Sequence, residues 1–360
     1  MNQSNINSKK SIIQNIKNFK IYLNERFPLG KNSFFVLIFT LSGYIFTGLL
    51  YNSKIIKPIL SKEVNRVLLL GDKEIDKVPI IWYKLLPLFI IIFMFFFQLR
   101  ITDEFKDYEE DLKYRPYRPV QRGIISLKAL GKIGIATIII QIILAHVINP
   151  KLIYFMLLVW VYMFLMTKEF FIKSWLTERI LIYAFSHVVI MMFITLVIVK
   201  GTGYILQHHF SETLYLSLEK YEKNIFTGLI PLFALNYLNG IVLEIGRKTR
   251  KSDEEEDGVQ TYSKLWGREK AVFILCILYA IEYILVLFGL LNINKEYFLV
   301  GQLILTITLA LSVYFMIKFL KKDLTGKIPE NTSGLWILLS SMNLGLIQYI
   351  VFYVLNLLKS

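Results

Sequence analysis

Two stretches of this 360-residue chain gather side chains able to hold an ion and a phosphate. In the first, residues 100–123 read RITDEFKDYEEDLKYRPYRPVQRG, with Asp103, Asp107 and Asp111 at every fourth position and Glu104 three residues before Asp107. On a helix that spacing puts the carboxylates on one face. Like charges so placed repel and raise one another's pKa unless cations cover the face. Mg2+ suits such a face, because it takes a few carboxylates and completes its shell with water and phosphate oxygens. No cysteine or histidine lies nearby to suggest a softer metal. Arg115, Arg118 and Arg122 follow, the first two inside the turn Arg115-Pro116-Tyr117-Arg118-Pro119. The prolines stop the helix and hold guanidinium forks that match phosphate oxygens.

The second stretch, residues 244–267, reads EIGRKTRKSDEEEDGVQTYSKLWG. Glu244 is followed by Arg247, Lys248, Arg250 and Lys251, then by an acidic run that starts with Asp253 and Glu254. Such a run before a glycine also fits a plain solvated turn. Glu244 is the stronger ligand, because it continues a helical face through Asn236 and Asn239. Polar side chains on a lipid-embedded helix point into the bundle or a wet cavity, so both asparagines are expected to line a substrate cavity.

The elements that must position these residues cross a membrane. Hydrophobic residues make up 55% of the chain and charged ones 19%, which excludes a disordered protein. At roughly 20 apolar residues per crossing, the sequence predicts an all-α polytopic bundle of about nine transmembrane helices. The stretches are 34–51, 80–99, 133–148, 151–167, 180–200, 225–243, 271–291, 297–317 and 335–358. None alternates with period two, so a barrel is not expected. Asn149-Pro150 reads as a tight helical hairpin. Cys276, the one cysteine, lies in an apolar stretch and is read as a packing residue.

With a cytosolic N-terminus, the inside segments carry 28 Lys and Arg residues against 12 outside, with Lys84 left within the second span. The positive-inside rule therefore places the N-terminus and both motif loops, 100–132 and 244–270, in the cytosol. Residues 52–79 dissent, being external yet carrying six basic residues. Residues 1–33 have no cleavable secretory signal. Ile12, Ile16, Phe19 and Leu23 recur at helical spacing among lysines, which predicts a cytosolic amphipathic helix on the headgroups, ahead of a membrane domain over 34–360.

In motif content, motif order and span number the sequence resembles the UbiA superfamily of intramembrane prenyltransferases. That family carries an aspartate-rich NDxxDxxxD motif after its second helix, followed by an Arg-Pro-x-x-x-Gly turn. The matching residues here are Asp103, Glu104, Asp107 and Asp111, then Arg118, Pro119 and Gly123. The second motif, an aspartate cluster ending in Gly-x-x-Thr after the sixth helix, looks like Glu244 through Gly258-Val259-Gln260-Thr261. Asp103 stands where the family has Asn, Glu104 and Glu244 where it has Asp, and Arg247 where it usually has another acid.

The resemblance implies a UbiA-like bundle capped by the two loops, and a Mg2+-dependent transfer of a polyprenyl group to a small aromatic or lipid-like acceptor. It implies metal ligation by Asp103, Glu104, Asp107, Asp111, Glu244, Asp253 and Glu254, with Asp107, Asp111 and Glu244 central to catalysis. Diphosphate binding falls to Arg115, Arg118, Arg122, Arg247, Lys248, Arg250 and Lys251. The expected partners are the lipid bilayer, a polyprenyl diphosphate donor and an acceptor the sequence does not identify, with no nucleic acid. Relatives of this plan also cyclise terpenes or transfer phosphoribose. A transporter and an inactive family member serving assembly are the rival readings. The gathering of acids at one membrane face rather than at midplane favours interfacial chemistry over transport.

Overall fold

Each long apolar stretch folds as a helix because a backbone surrounded by lipid must satisfy its own hydrogen bonds. The structure is a computed structural model that describes residues 3–53, 80–207, 212–255, 259–293, 298–322 and 324–359. The charges of the 52–79 loop from Lys54 onward, His208, His209 and the Glu256-Asp257-Gly258 end of the acidic run lie outside the described residues. Among the described residues every regular element is helical. In order these are α1 (Gln3–Arg26), α2 (Leu29–Tyr51), α3 (Trp82–Lys106), α4 (Tyr108–Tyr114), α5 (Leu127–Ile148) and α6 (Leu152–Thr167). A 3-10 turn (Glu169–Phe171) leads to α7 (Lys173–Thr177), α8 (Ile180–Val188), α9 (Ile190–Gln207) and α10 (Glu212–Arg247). The chain ends with α11 (Tyr262–Trp266), α12 (Arg268–Ile293), α13 (Phe298–Lys321), α14 (Lys327–Leu344) and α15 (Leu346–Lys359).

Seven helical segments among the described residues are long and apolar enough to cross a membrane, and the protein is an integral multi-pass membrane protein. The expected nine is not reached by length, because two of the stretches form shorter helices. α6 has 16 residues, and the last apolar stretch breaks at Gly345 into α14 and α15. The Asn149 turn between α5 and α6 forms as expected, with Asn149 Oδ1 accepting from the Lys151 N–H at 2.9 Å.

Two cores share α2. One packs it with α3, α5, α6 and α9, the other with α10, α12, α13 and α14. On α12 one face turns outward through Phe273, Ile277, Ile281, Ile284, Phe288 and Leu291, and the opposite face is buried. Between helices in lipid the glue is close packing and hydrogen bonds rather than water exclusion. Gln98 of α3 donates to Thr137 at 2.8 Å and Gln141 at 2.7 Å on α5. Tyr279 of α12 bonds Ser333 of α14 at 2.9 Å, and the Trp336 indole of α14 donates to Glu282 on α12.

α1 does more than lie on headgroups. Tyr22 and Phe27 are buried, and with Phe19 and Leu23 they pack on Phe97, Ile101, Val120, Ile125 and Leu130 around the first motif loop, leaving Ile13 and Ile16 exposed. The aromatic residues at its C-terminal end make the difference, since they find a protein surface to cover.

Candidate functional site

The first acidic motif does not stay on one helix. α3 stops at Lys106, Asp107 takes the non-helical φ/ψ of −95°/8°, and α4 restarts with Glu109, Glu110 and Asp111 in its first turn. Acids at a helix N-terminus face its positive dipole end, which favours the restart. The break sends the four acids in different directions. Glu104 is buried and accepts from Arg26 Nε at 2.6 Å. Asp111, 1% exposed, is gripped by Arg118 and by Arg115 at 3.2 Å. Asp103 and Asp107 remain open, at 41% and 38% side-chain exposure, with Lys106 Nζ 3.9 Å from each. Burial pushes the Asp107 carboxyl up to about 6; Lys106 opposes that rise, and Asp103, Asp111 and Glu110 reinforce it. Arg122 turns away to Glu25 of α1, at 2.6 and 2.7 Å.

In the second loop Glu244 meets two cations, Arg247 at 2.6 Å and Lys248 at 2.7 Å. Arg247 is also within electrostatic range of Asp103 and of Glu330 at the start of α14. The acidic run is folded down rather than free. Glu254 accepts from the Gly326 N–H at 2.6 Å, and Glu255 accepts from Thr261 at 2.7 Å and Ser263 at 2.5 Å. Ser263 in turn accepts from the Arg250 N–H at 2.9 Å. Asp253 is largely exposed and pairs with Lys251 at 3.0 Å. Asn236 and Asn239 are buried at helix contacts, donating to Thr195 of α9 at 3.0 Å and Ser341 of α14 at 3.3 Å. Of the side-chain atoms of these two asparagines, Asn239 Oδ1 is buried without a partner.

The structure adds residues that no motif flagged. Lys106 Nζ donates to the Tyr183 hydroxyl at 2.7 Å and lies 3.8 Å from Glu169 Oε1. Glu169 also accepts from Tyr183 at 3.2 Å and faces His187 Nε2 at 3.2 Å. The one readable signal is that Tyr183 and His187 stand four apart on a helix following a charged pair, Lys168-Glu169.

A model of the UbiA prenyltransferase family matches residues 76–324, the part of the chain that holds both loops. The chain belongs to the UbiA prenyltransferase family. Among solved structures, one reported under digeranylgeranylglyceryl phosphate synthase superposes with a TM-score of 0.52 at 19% identity, covering 93% of this chain and 98% of that one. The apo structure of a UbiA homologue from Aeropyrum pernix K1 gives 0.52 at 13% identity, with coverage of 89% and 98%. These likenesses establish the fold. No curated relative matches the chain by sequence.

UbiA prenyltransferases generally use Mg2+, and the residues of this UbiA chain can be tested for fit. Among the described residues no group of three or more His, Cys, Asp or Glu side chains converges as a ready-made metal cage. The fitting pair is Asp103 and Asp107, whose carboxylates are open; Lys106 stands 3.9 Å from each, and Arg100 3.4 Å from Asp103 Oδ2. Mg2+ is commonly held by one or two carboxylates with substrate phosphate oxygens and water completing the octahedron, so two open acids are enough.

Proposed function

We propose that the protein transfers a prenyl group from a polyprenyl diphosphate to a small aromatic or lipid-like acceptor at the cytosolic mouth of the bundle. The observation that supports this reading is the open pair Asp103 and Asp107 with Lys106 beside both, and Arg247 of the second loop within electrostatic range of Asp103. An anionic headgroup there would face carboxylates able to hold an ion on one side and cations on the other. Asp103 and Asp107 would hold Mg2+, which when bound neutralises charge building on the departing diphosphate.

The remaining residues divide the work. Arg247 and Lys248, aligned by Glu244, present N–H donors to the diphosphate oxygens, where they strengthen as negative charge develops. Because both oxygens of Glu244 are already engaged by cations, we assign it to positioning, and the ion to the first loop alone. Asp111 orients Arg118 and Arg115 toward the same mouth. Arg250 and Lys251 border it from the second loop. Apolar helices take the isoprenoid tail and keep water from the allylic cation formed when the C–O bond breaks.

The test is diphosphate release by purified protein in lipid vesicles, given isoprenoid diphosphates of several chain lengths with and without Mg2+. Release that needs Mg2+ and falls away in Asp107→Ala supports the reading. No release at any chain length, beside an active control enzyme, would favour the inert family member.

A further inference from the structure

Three consecutive residues, Glu169, Phe170 and Phe171, hold φ angles of 47°, 52° and 60°. L-residues avoid this left-handed region at roughly 1–2 kcal/mol each. No other non-glycine among the described residues adopts it. Strain of this kind persists where the surroundings over-determine it. Here it aims Glu169, whose side chain is 6% exposed, back onto Tyr183 and His187 of α8. Phe170 packs edge-on against the His187 ring at 5.7 Å, and Tyr162 packs against Phe170 at 5.5 Å.

With a neutral His187 ring, the Glu169–His187 contact is one proton short. His187 Nδ1 lies 2.9 Å from the Tyr183 carbonyl oxygen, which can only accept, so Nδ1 carries the ring hydrogen. The Ser186 hydroxyl donates to that same carbonyl at 3.0 Å and stands 3.3 Å from Nδ1. In the neutral ring Nε2 is then a bare acceptor, and it faces Glu169 Oε2 at 3.2 Å. Both atoms are buried without an aligned hydrogen-bond partner. Two unsatisfied acceptors in contact cost free energy, and a single proton arriving between them would satisfy both.

Lys106 connects this pair to the first-loop acids. Side-chain exposure falls from 38% at Asp107 through 12% at Lys106 to 6% at Glu169, so Glu169 lies one residue inward from the open face. Burial alone would raise the Glu169 carboxyl, yet a proton on His187 Nε2, the Lys106 cation and the Tyr183 hydroxyl hold it below the ordinary carboxylate value.

We propose that Glu169 and His187 are the proton-accepting dyad of the transfer and bind an acceptor that carries a removable proton, on a hydroxyl or an electron-rich aromatic ring. This rests on the prenyl-transfer reading above. The donor C1–O bond breaks with its electron pair leaving on diphosphate, and the acceptor oxygen or ring carbon bonds to C1. The proton on that atom passes to the dyad and later to solvent at the mouth. An acceptor just alkylated by a cation is strongly acidic, so a carboxylate paired with imidazole is base enough.

The experiment uses vesicles from a host expressing the full chain, supplied with Mg2+ and radiolabelled geranylgeranyl diphosphate, and follows both released diphosphate and label entering lipid. Glu169→Gln preserves shape, and His187→Asn keeps a donor for the Tyr183 carbonyl while deleting Nε2. Lipid labelling should fall at least about 100-fold in each, while geranylgeranyl thiolodiphosphate binds as in the wild type. Glu169→Asp should recover part of the rate, and the double variant should be no slower than the slower single, as expected of two residues acting as one unit. Wild-type labelling in Glu169→Gln overturns the proposal. So does weakened analogue binding that accounts for the lost rate, since the network would then act on the donor through Lys106. A wild-type protein that releases no diphosphate overturns the prenyl-transfer reading itself, visibly and before any variant is compared, and takes this proposal with it.

Discussion

Arg26 Nε donates to Glu104 Oε1 at 2.6 Å, so a residue of the N-terminal helix neutralises an acid of the first motif whose side chain is fully buried. Removing one member of such a pair strands a buried charge, at about 3–5 kcal/mol, whereas replacing both by apolar groups of similar size is often neutral. Arg26→Met should therefore lower the unfolding midpoint in detergent sharply, and Arg26→Met with Glu104→Met should recover most of the loss. A double variant as unstable as the single would mean that the loss comes from the packing of the arginine stem rather than from a stranded carboxylate.

Asp107 and Asp111, equivalent by spacing, should behave differently. Asp111 is closed in by Arg115 and Arg118, so Asp111→Ala leaves two cations crowded together and should cost about 3–5 kcal/mol of stability. Asp107 lies on the open side, and Asp107→Ala should change stability by no more than about 0.5 kcal/mol while abolishing Mg2+-dependent diphosphate release. Thermal unfolding run beside the release assay separates the two, and matching profiles for both variants would contradict this division.

The contrast marks what was legible in the sequence. Apolar runs of crossing length, and two charged loops each following a span, identify the bundle and the family, because lipid leaves a chain little choice but helix. Spacing alone put Asp103, Asp107 and Asp111 on one face, which holds only if the helix continues. The break at Asp107 turns Asp111 into an arginine holder. Glu104 and Arg122 look like site residues on the page but face α1, and a partner from the N-terminal helix is invisible to local reading. The Glu169 turn gave no warning, since no glycine or asparagine marks its left-handed residues. Conversely, Glu282, an intramembrane acid expensive to bury, receives on Oε2 a hydrogen bond from Trp336 of another helix, while its Oε1 is buried without one.

Metal uptake at the open pair should be linked to pH. The Asp107 carboxyl, lifted to about 6, must lose its proton before it can take an ion. The Mg2+ concentration for half-maximal release should thus fall about tenfold per pH unit below about pH 6 and level off above about pH 7. Without metal, the sign for stability is the opposite. The folded state holds this proton more tightly than the unfolded chain, whose value is near 3.8, so the stabilisation is complete below that value and is lost as pH rises through 6. A half-maximal Mg2+ concentration that does not vary across this range would remove Asp107 from the ion site.

The break between α14 and α15 should prove as sensitive as any core position. A Cβ at Gly345 would run into the Ser42 carbonyl oxygen and come within 2.6 Å of the Ser42 Cα on α2. Both obstacles are backbone, so no side chain can rotate away, and Gly345→Ala must push α2 from its seat between the two cores. Overpacking of this kind costs typically 1–3 kcal/mol. Gly334, inside α14, has nothing within 4 Å of an added Cβ, and there alanine should stabilise by about 1 kcal/mol through helix propensity. Opposite shifts of the unfolding midpoint for the two substitutions would show that Gly345 is required by the close approach of α2, and a stabilised Gly345→Ala would show that the helices do not meet there.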